Sequence, residues 1–215
     1  MKRKNQWKYN NKNSKLKYTN EDSESDDDES DNAVWCDDNH IFFYADVNNK
    51  NIAELNKFIF QINKESNINS YNLKNVTIET YSPPIFLHIK SYGGCVLSAL
   101  STIDLIKTSK CPIYTIIEGY AASAATMISI VGKKRFMHKN AQMLIHQMSS
   151  SFWGKMEEIK DEMKNLKELE KIIRKIYKEN TSIPNEKYKD ILKHDLWWNS
   201  TICLKYKLID EIINN

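Results

Sequence analysis

Gly119-Tyr120-Ala121-Ala122-Ser123-Ala124-Ala125 follows the apolar run Ile113-Tyr-Thr-Ile-Ile117, with only Glu118 between them. An apolar run this short predicts a buried strand. The small residues after it let the chain turn sharply and let a second backbone come close. A serine at such a strand-to-helix corner presents its hydroxyl at a helix N-terminus, where free N–H groups favour negative charge. The glycine lies four residues before the serine, so this is not the G-x-S-x-G elbow. Taken alone, Ser123 also reads as a small residue in a packed helix.

Two further segments give the serine chemical company. Downstream, Met143-Leu144-Ile145-His146-Gln147 ends an apolar strand in a histidine, the usual general base for a serine nucleophile. Upstream, Ile89-Lys90-Ser91-Tyr92-Gly93-Gly94 ends another strand in a glycine pair. Such a pair can aim backbone N–H groups at an oxyanion. In this order the three pieces resemble the proteolytic subunit of the Clp protease, whose members carry Ser-Pro-Gly-Gly, then Gly-x-Ala-Ala-Ser, then Met-Ile-His-Gln-Pro. The resemblance runs from about Ile41 to Asp210.

It implies an α/β fold, the spiral of ββα units that Clp subunits share with the crotonase superfamily, with a projecting handle helix. It also implies a catalytic set of Ser123, His146 and an acid. Asp190 and Asp195 are both candidates. The family's acid precedes by fifteen residues the aspartate of its Tyr-Gly-Leu-Val-Asp ending. Here that ending is Tyr206-Lys207-Leu208-Ile209-Asp210, which selects Asp195. The oxyanion hole implied by position is the pair of backbone N–H groups of Gly94 and Ala124. Tyr92 stands where the family has proline, whose fixed φ stiffens the turn. An outer pocket for ATPase loops maps to Phe86, His88, Ile116 and Phe136, with His88 in place of a usual tyrosine. The chemistry calls for no metal or organic cofactor. The implied partners are further copies of the chain in stacked heptameric rings, a ring ATPase unfoldase, and unfolded polypeptides as substrates.

Read for organisation, the chain divides into a tail, residues 1–34, and a peptidase-like domain, residues 35–215. Lys2, Arg3, Lys4, Lys8, Lys12, Lys15 and Lys17 come first, and Glu21 to Asp31 is almost entirely acid and serine. Opposite charge blocks with so few apolar residues cannot support a core and predict disorder. They also allow a targeting address at Lys2-Arg3-Lys4 or phosphorylation at Ser23 or Ser25. Ile41 to Tyr44 predicts a strand, and Ile52, Leu55, Ile59 and Ile62 predict a helix. Lys64 to Pro84 reads as a long insertion loop with room for a short strand at Val76–Ile78. Ile85–Ile89 and Gln142–Ile145 read as strands, Val96 to Ile106 and Ser123 to Val131 as helices, and Gly132 to Arg135 as a turn. Strands alternating with helices predict parallel pairing. From Lys155 to Asn180, Met156, Ile159, Met163, Leu166, Leu169, Ile173 and Ile176 step by three or four along one face. A helix of that length needs its stripe covered, by its own domain or, as the resemblance implies, by a facing subunit. A last helical stretch is expected near Tyr188 to Lys193.

Composition removes other classes. The chain has 215 residues, 41% hydrophobic, with five glycines and four prolines, enough for one domain with a substantial core. The nearest approach to a membrane span, Ile113 to Val131, is broken by Glu118, Gly119 and several hydroxyls, so no membrane partner is expected. Cys36, Cys95, Cys111 and Cys203 lack paired metal-ligand spacing and no signal peptide precedes them. Reduced thiols in a cytoplasmic setting are expected. The basic block is too short, at a net charge of +3, to favour nucleic acid. Two rival readings remain: a non-catalytic ring subunit that modulates active copies, and an acyl-CoA enzyme of the crotonase superfamily.

Overall fold

The computed structural model describes residues 33–72 and 82–214. The assigned tail, apart from its last two residues, lies outside them, and so does Val76–Ile78. Val34, placed in the tail by the sequence reading, opens strand β1 (Val34–Asp37), pairs with Phe43 and is buried.

Strands β2 (His40–Phe43), β3 (Ile85–Ser91) and β4 (Ile113–Ala122) form the parallel centre of the sheet. Their side chains alternate, as extended chains must. Ile41, Phe43, Ile85, Leu87, Ile89, Ile113, Thr115 and Ile117 point into the core, while His40, Phe42, Phe86, His88 and Tyr114 stay half-buried on the other face. Helices α1 (Asn49–Asn72), α2 (Val96–Thr108) and α3 (Ala124–Ile130) supply the rest of that core through Ile52, Leu55, Ile59, Ile103, Ile106, Met127 and Ile128.

β4 is the hinge of the architecture. On one side it pairs with β3 along its length. On the other, its first half pairs with β5 (Lys134–His138) and its second half with β6 (Gln142–Leu144), all parallel. Gly119, at φ +74, lies where the β3–β4 register shifts between Ile89 and Ser91. A glycine takes that backbone conformation without cost. After β6 come α4 (Met156–Asn180), α5 (Asn185–Ile191), β7 (Trp197–Asn199), α6 (Ser200–Lys205) and β8 (Glu211–Ile213). β7 pairs antiparallel with β6, and β8 parallel with β5. The β8 junction is locked by Arg135, which donates from its backbone N–H and Nε to Asp210 Oδ2, each at 3.0 Å, and from Nη1 to the Lys207 carbonyl at 2.8 Å.

The α/β class and the alternation of strand and helix match the sequence reading, and four local expectations need correction. Lys64–Asn72 belongs to α1 rather than to a loop, because neither proline nor glycine interrupts the helix there. β4 runs past the apolar run Ile113–Ile117, through Gly119 to Ala122, and the corner stays at Ser123 as read. Lys134 and Arg135 open β5 rather than close a turn. Two pairings, β1–β2 and β6–β7, are antiparallel.

Candidate active site

Strand register brings the three predicted residues to one end of the sheet. Ala122 and Trp197 both pair with Leu144, on either side of β6. Ser123 follows Ala122, His146 lies two residues past Leu144, and Asp195 lies two residues before Trp197, which opens the antiparallel strand β7. Residues scattered over seventy positions therefore become neighbours.

Ser123 has φ 54 and ψ −125, an uncommon conformation for any residue with a Cβ and one that costs of order 1–3 kcal/mol. The surroundings hold it there. Its N–H donates to the Leu144 carbonyl at 2.9 Å, and its own carbonyl accepts from the Thr126 N–H at 3.0 Å and Thr126 Oγ1 at 2.6 Å. Thr126 Oγ1 is in turn hydrogen-bonded to the hydroxyl of Tyr177, on the last turn of α4. Both residues are buried, so the base of α4 reaches the serine's backbone through one hydroxyl.

The two glycines are needed for close approach. A Cβ at Gly93 would lie 2.5 Å from the Ala122 carbonyl oxygen and 2.8 Å from Ser123 Cβ; one at Gly94 would lie 2.4 Å from the Val47 carbonyl oxygen. Val47 fixes this turn from the far side, donating to the Gly93 carbonyl at 2.8 Å and accepting from the Cys95 N–H at 2.7 Å. That bridge uses the groups on either side of Gly94 and leaves the Gly94 N–H outside it. Ala124 opens α3, so its N–H lacks an intrahelical acceptor.

His146 Nδ1 and Asp195 Oδ1 are 3.9 Å apart, within ion-pair range and beyond hydrogen-bond reach. The His146 side chain is 26% exposed and that of Asp195 77%. Asp190 lies on α5, and its carbonyl accepts from the Lys193 N–H at 3.0 Å. Among the described residues no group of three or more His, Cys, Asp or Glu could hold a metal ion.

The opposite sheet face carries a second polar group that sequence reasoning half anticipated. His88 Nδ1 lies 2.7 Å from Glu118 Oε1, and its Nε2 lies 2.9 Å from His40 Nδ1. The Tyr44 hydroxyl donates to Glu118 Oε2, and His138 Nε2 lies 3.7 Å from Oε1. Burial pushes the Glu118 carboxyl up, but the hydrogen bonds from Tyr44 and His88 outweigh it and leave its pKa lowered. The His88 ring stacks on Phe42 at 4.4 Å. A cavity of about 540 Å³ opens beside this group, lined by Glu118, His138, Lys139 and Ile213 among others. Ser123, His146 and Asp195 do not line it. Sequence reasoning missed Val47, Thr126, Tyr177, Tyr44 and Glu118. Each acts through a pairing across the fold that local periodicity does not encode.

The Clp protease family model matches residues 36–215. The chain is 34% identical over 134 residues to the ATP-dependent Clp protease proteolytic subunit 2 of Treponema denticola, covering 61% of this chain and 67% of that protein. It is 33% identical over 135 residues to the ATP-dependent Clp protease proteolytic subunit of Streptococcus mutans, covering 61% and 69%. A solved ClpP1 mutant from Listeria monocytogenes superimposes with a TM-score of 0.66 at 24% identity, over 80% of this chain and 89% of that one, a likeness of fold. This chain belongs to the Clp protease family, a family of peptidases.

Proposed function

We propose that the chain is a serine-type endopeptidase subunit, cutting unfolded polypeptides inside a ring assembly fed by a ring ATPase. The observation that carries this reading is Ser123 at φ 54, held at the strand ends that also bring in His146 and Asp195. In the mechanism, Ser123 Oγ attacks the scissile carbonyl while His146 takes its proton. The tetrahedral oxyanion is held by the N–H groups of Gly94 and Ala124. Collapse expels the amine, which receives the proton from His146 and leaves an acyl-enzyme. Water, deprotonated by His146, then releases the acid product. Asp195 orients the imidazole and stabilises its charged form.

The separation of 3.9 Å and the exposure of Asp195 support a refinement, in which contact with further copies tightens the His146–Asp195 pair. Among the described residues no helix is long and apolar enough to cross a membrane. The four cysteines are free.

Labelling with a serine-directed phosphonate tests the chemistry. The wild-type chain labels and Ser123→Ala does not. An unlabelled wild type that still assembles would favour the modulatory subunit or the acyl-CoA enzyme. Asp195→Asn should reduce peptide turnover far more than Asp190→Asn, and the reverse order would move the acid to α5.

A further inference from the structure

Three aromatic rings outside the proposed reaction stand beside each of its arms. Tyr92 lies two residues before Gly94, Tyr120 three before Ser123, and Trp197 two after Asp195. Tyr92 and Tyr120 stack with ring centroids 4.2 Å apart and planes at 28°. Trp197 meets Tyr120 edge-on, at 6.5 Å and 84°. Offset stacking and edge contacts are the favoured geometries for such rings. Tyr92 is 63% exposed and Trp197 42%, so core burial does not fix them. They meet one another from just past β3 (Tyr92), from β4 (Tyr120) and from β7 (Trp197).

The turn they flank has reason to need fixing. Gly93 and Gly94 have φ +89 and +144, and consecutive glycines are the freest backbone a chain can carry. Val47 anchors one side, and Ser91 Oγ accepts from the Gly93 N–H at 3.1 Å. The residue entering the turn is Tyr92, and its ring adds a side-chain contact to β4 one residue past the last β3–β4 pair, Ser91–Ala121. A proline at that position would restrict the same residue through its own ring.

We propose that Tyr92, Tyr120 and Trp197 are positioning residues, a ring clamp that holds the oxyanion turn, the nucleophile strand and the acid strand in one register. The proposal rests on the peptidase reading, since it assigns the rings to that site. The clamp touches no reacting atom. It acts by keeping the Gly94 N–H where the oxyanion forms, and small misplacement of such a donor is felt in rate.

The test is a double-variant comparison on the full chain, with a short fluorogenic peptide. Tyr120→Ala should lower kcat roughly three- to tenfold, the value of one good ring pair, with KM within about twofold. Tyr120→Phe, which keeps the ring, should restore most of the rate. In a Tyr92→Pro background, Tyr120→Ala should cost less than about twofold further, because the turn is then fixed covalently. Trp197→Leu should repeat the Tyr120→Ala effect in smaller measure. Equal losses in both backgrounds, or a loss confined to KM, overturn the clamp.

A second readout does not depend on turnover. Amide exchange in peptides spanning residues 86–97 should quicken in Tyr120→Ala and not in Tyr120→Phe. Unchanged exchange in Tyr120→Ala overturns the proposal. Quickened exchange in a chain that never hydrolyses peptide would sustain the clamp while removing the peptidase reading.

Discussion

The β4–α3 corner and helix α4 spend their side chains in opposite ways. At the corner every residue of α3 is buried, and the strained serine is held by partners within the chain. On α4 only Ile176 and Tyr177 are buried, while Met156, Ile159 and Met163 lie exposed along its apolar stripe. The helix carries acids in its first turn, and Glu158 accepts from the Lys155 N–H at 2.9 Å. Pairs such as Lys160–Glu157 at 2.7 Å and Arg174–Glu170 at 2.9 Å line its polar face. Exposed pairs of this kind add only tenths of a kcal/mol each. The corner is therefore complete within one chain, whereas the helix has an apolar face that one chain leaves uncovered.

The largest expected effect breaks the corner in two distinguishable ways. Ser123→Ala should cut peptide turnover by about three orders of magnitude or more while moving the thermal midpoint by less than about 3 °C, because only one oxygen leaves. Gly93→Ala should lose activity together with stability, by roughly 3 kcal/mol or more, since the new methyl meets the Ala122 carbonyl oxygen, Ser123 Cβ and the Ala124 nitrogen, all within 3 Å. Calorimetry beside a peptidase assay separates the two. A Gly93→Ala chain with a wild-type midpoint would show that the corner is looser than described.

Next in size is the helix. Leu166→Lys or Met163→Lys puts a charge on the stripe. If a second copy covers that stripe, the charge is buried unpaired and should split the assembly, at a cost of several kcal/mol per contact. The subunit's own fold should be unaffected, because Met163 is already 51% exposed. Light scattering that finds wild type and variant at the same mass would remove α4 from the assembly interface.

How much of this was legible beforehand follows the same divide. The α4 stripe is a local period, and its helix is read almost to the residue, from Lys155 to Asn180 against Met156–Asn180. The corner was legible as a motif: small residues, serine and a glycine pair point to close approach, and Gly93 and Gly94 meet backbone at 2.5 and 2.4 Å. The fixings of the corner were not legible. Thr126 reads as an ordinary helix residue and Tyr177 as part of a stripe, and their meeting depends on how α4 returns to α3. β5, β7 and β8 are short strands of three to five residues, defined by their neighbours in the sheet rather than by alternation of their own. Lys134 and Arg135 carry no apolar signal, so the start of strand β5 reads as a turn in the sequence.

A smaller effect joins the two regions at the C-terminal end. Hydrogen bonds from Arg135 hold the Asp210 carboxyl below its ordinary value of 3.8, against the upward push of burial. A lowered carboxylate contributes stability that is full above its unfolded pKa and is lost as the pH falls through the folded one. Arg135→Met should therefore cost about 1–2 kcal/mol at neutral pH, discounted for the partial exposure of Asp210. The difference between variant and wild type should narrow as the pH falls through the lowered pKa of Asp210, leaving the share that Arg135 supplies through the Lys207 carbonyl. Chemical denaturation at pH 7 and at low pH reads this directly, and a difference undiminished at acid pH would assign the whole loss to the other contacts of Arg135.

The smallest effect sharpens the comparison inside the corner itself. Gly119 and Gly93 share positive φ values, +74 and +89, yet their surroundings differ. A Cβ at Gly119 meets nothing within 4 Å, while one at Gly93 meets the Ala122 carbonyl oxygen, Ser123 and Ala124. Gly119→Ala thus isolates the backbone cost of a left-handed residue, about 1–2 kcal/mol, from the steric cost of close approach. Because Gly119 precedes the serine by a full four residues of strand, peptide turnover should stay within about threefold of wild type. Gly119→Asn should recover part of the stability, since asparagine tolerates positive φ better than alanine. If Gly119→Ala instead disables turnover as Gly93→Ala does, the bulge in β4 sets the serine's position, and the corner extends upstream to the register shift at Ile89 and Ser91.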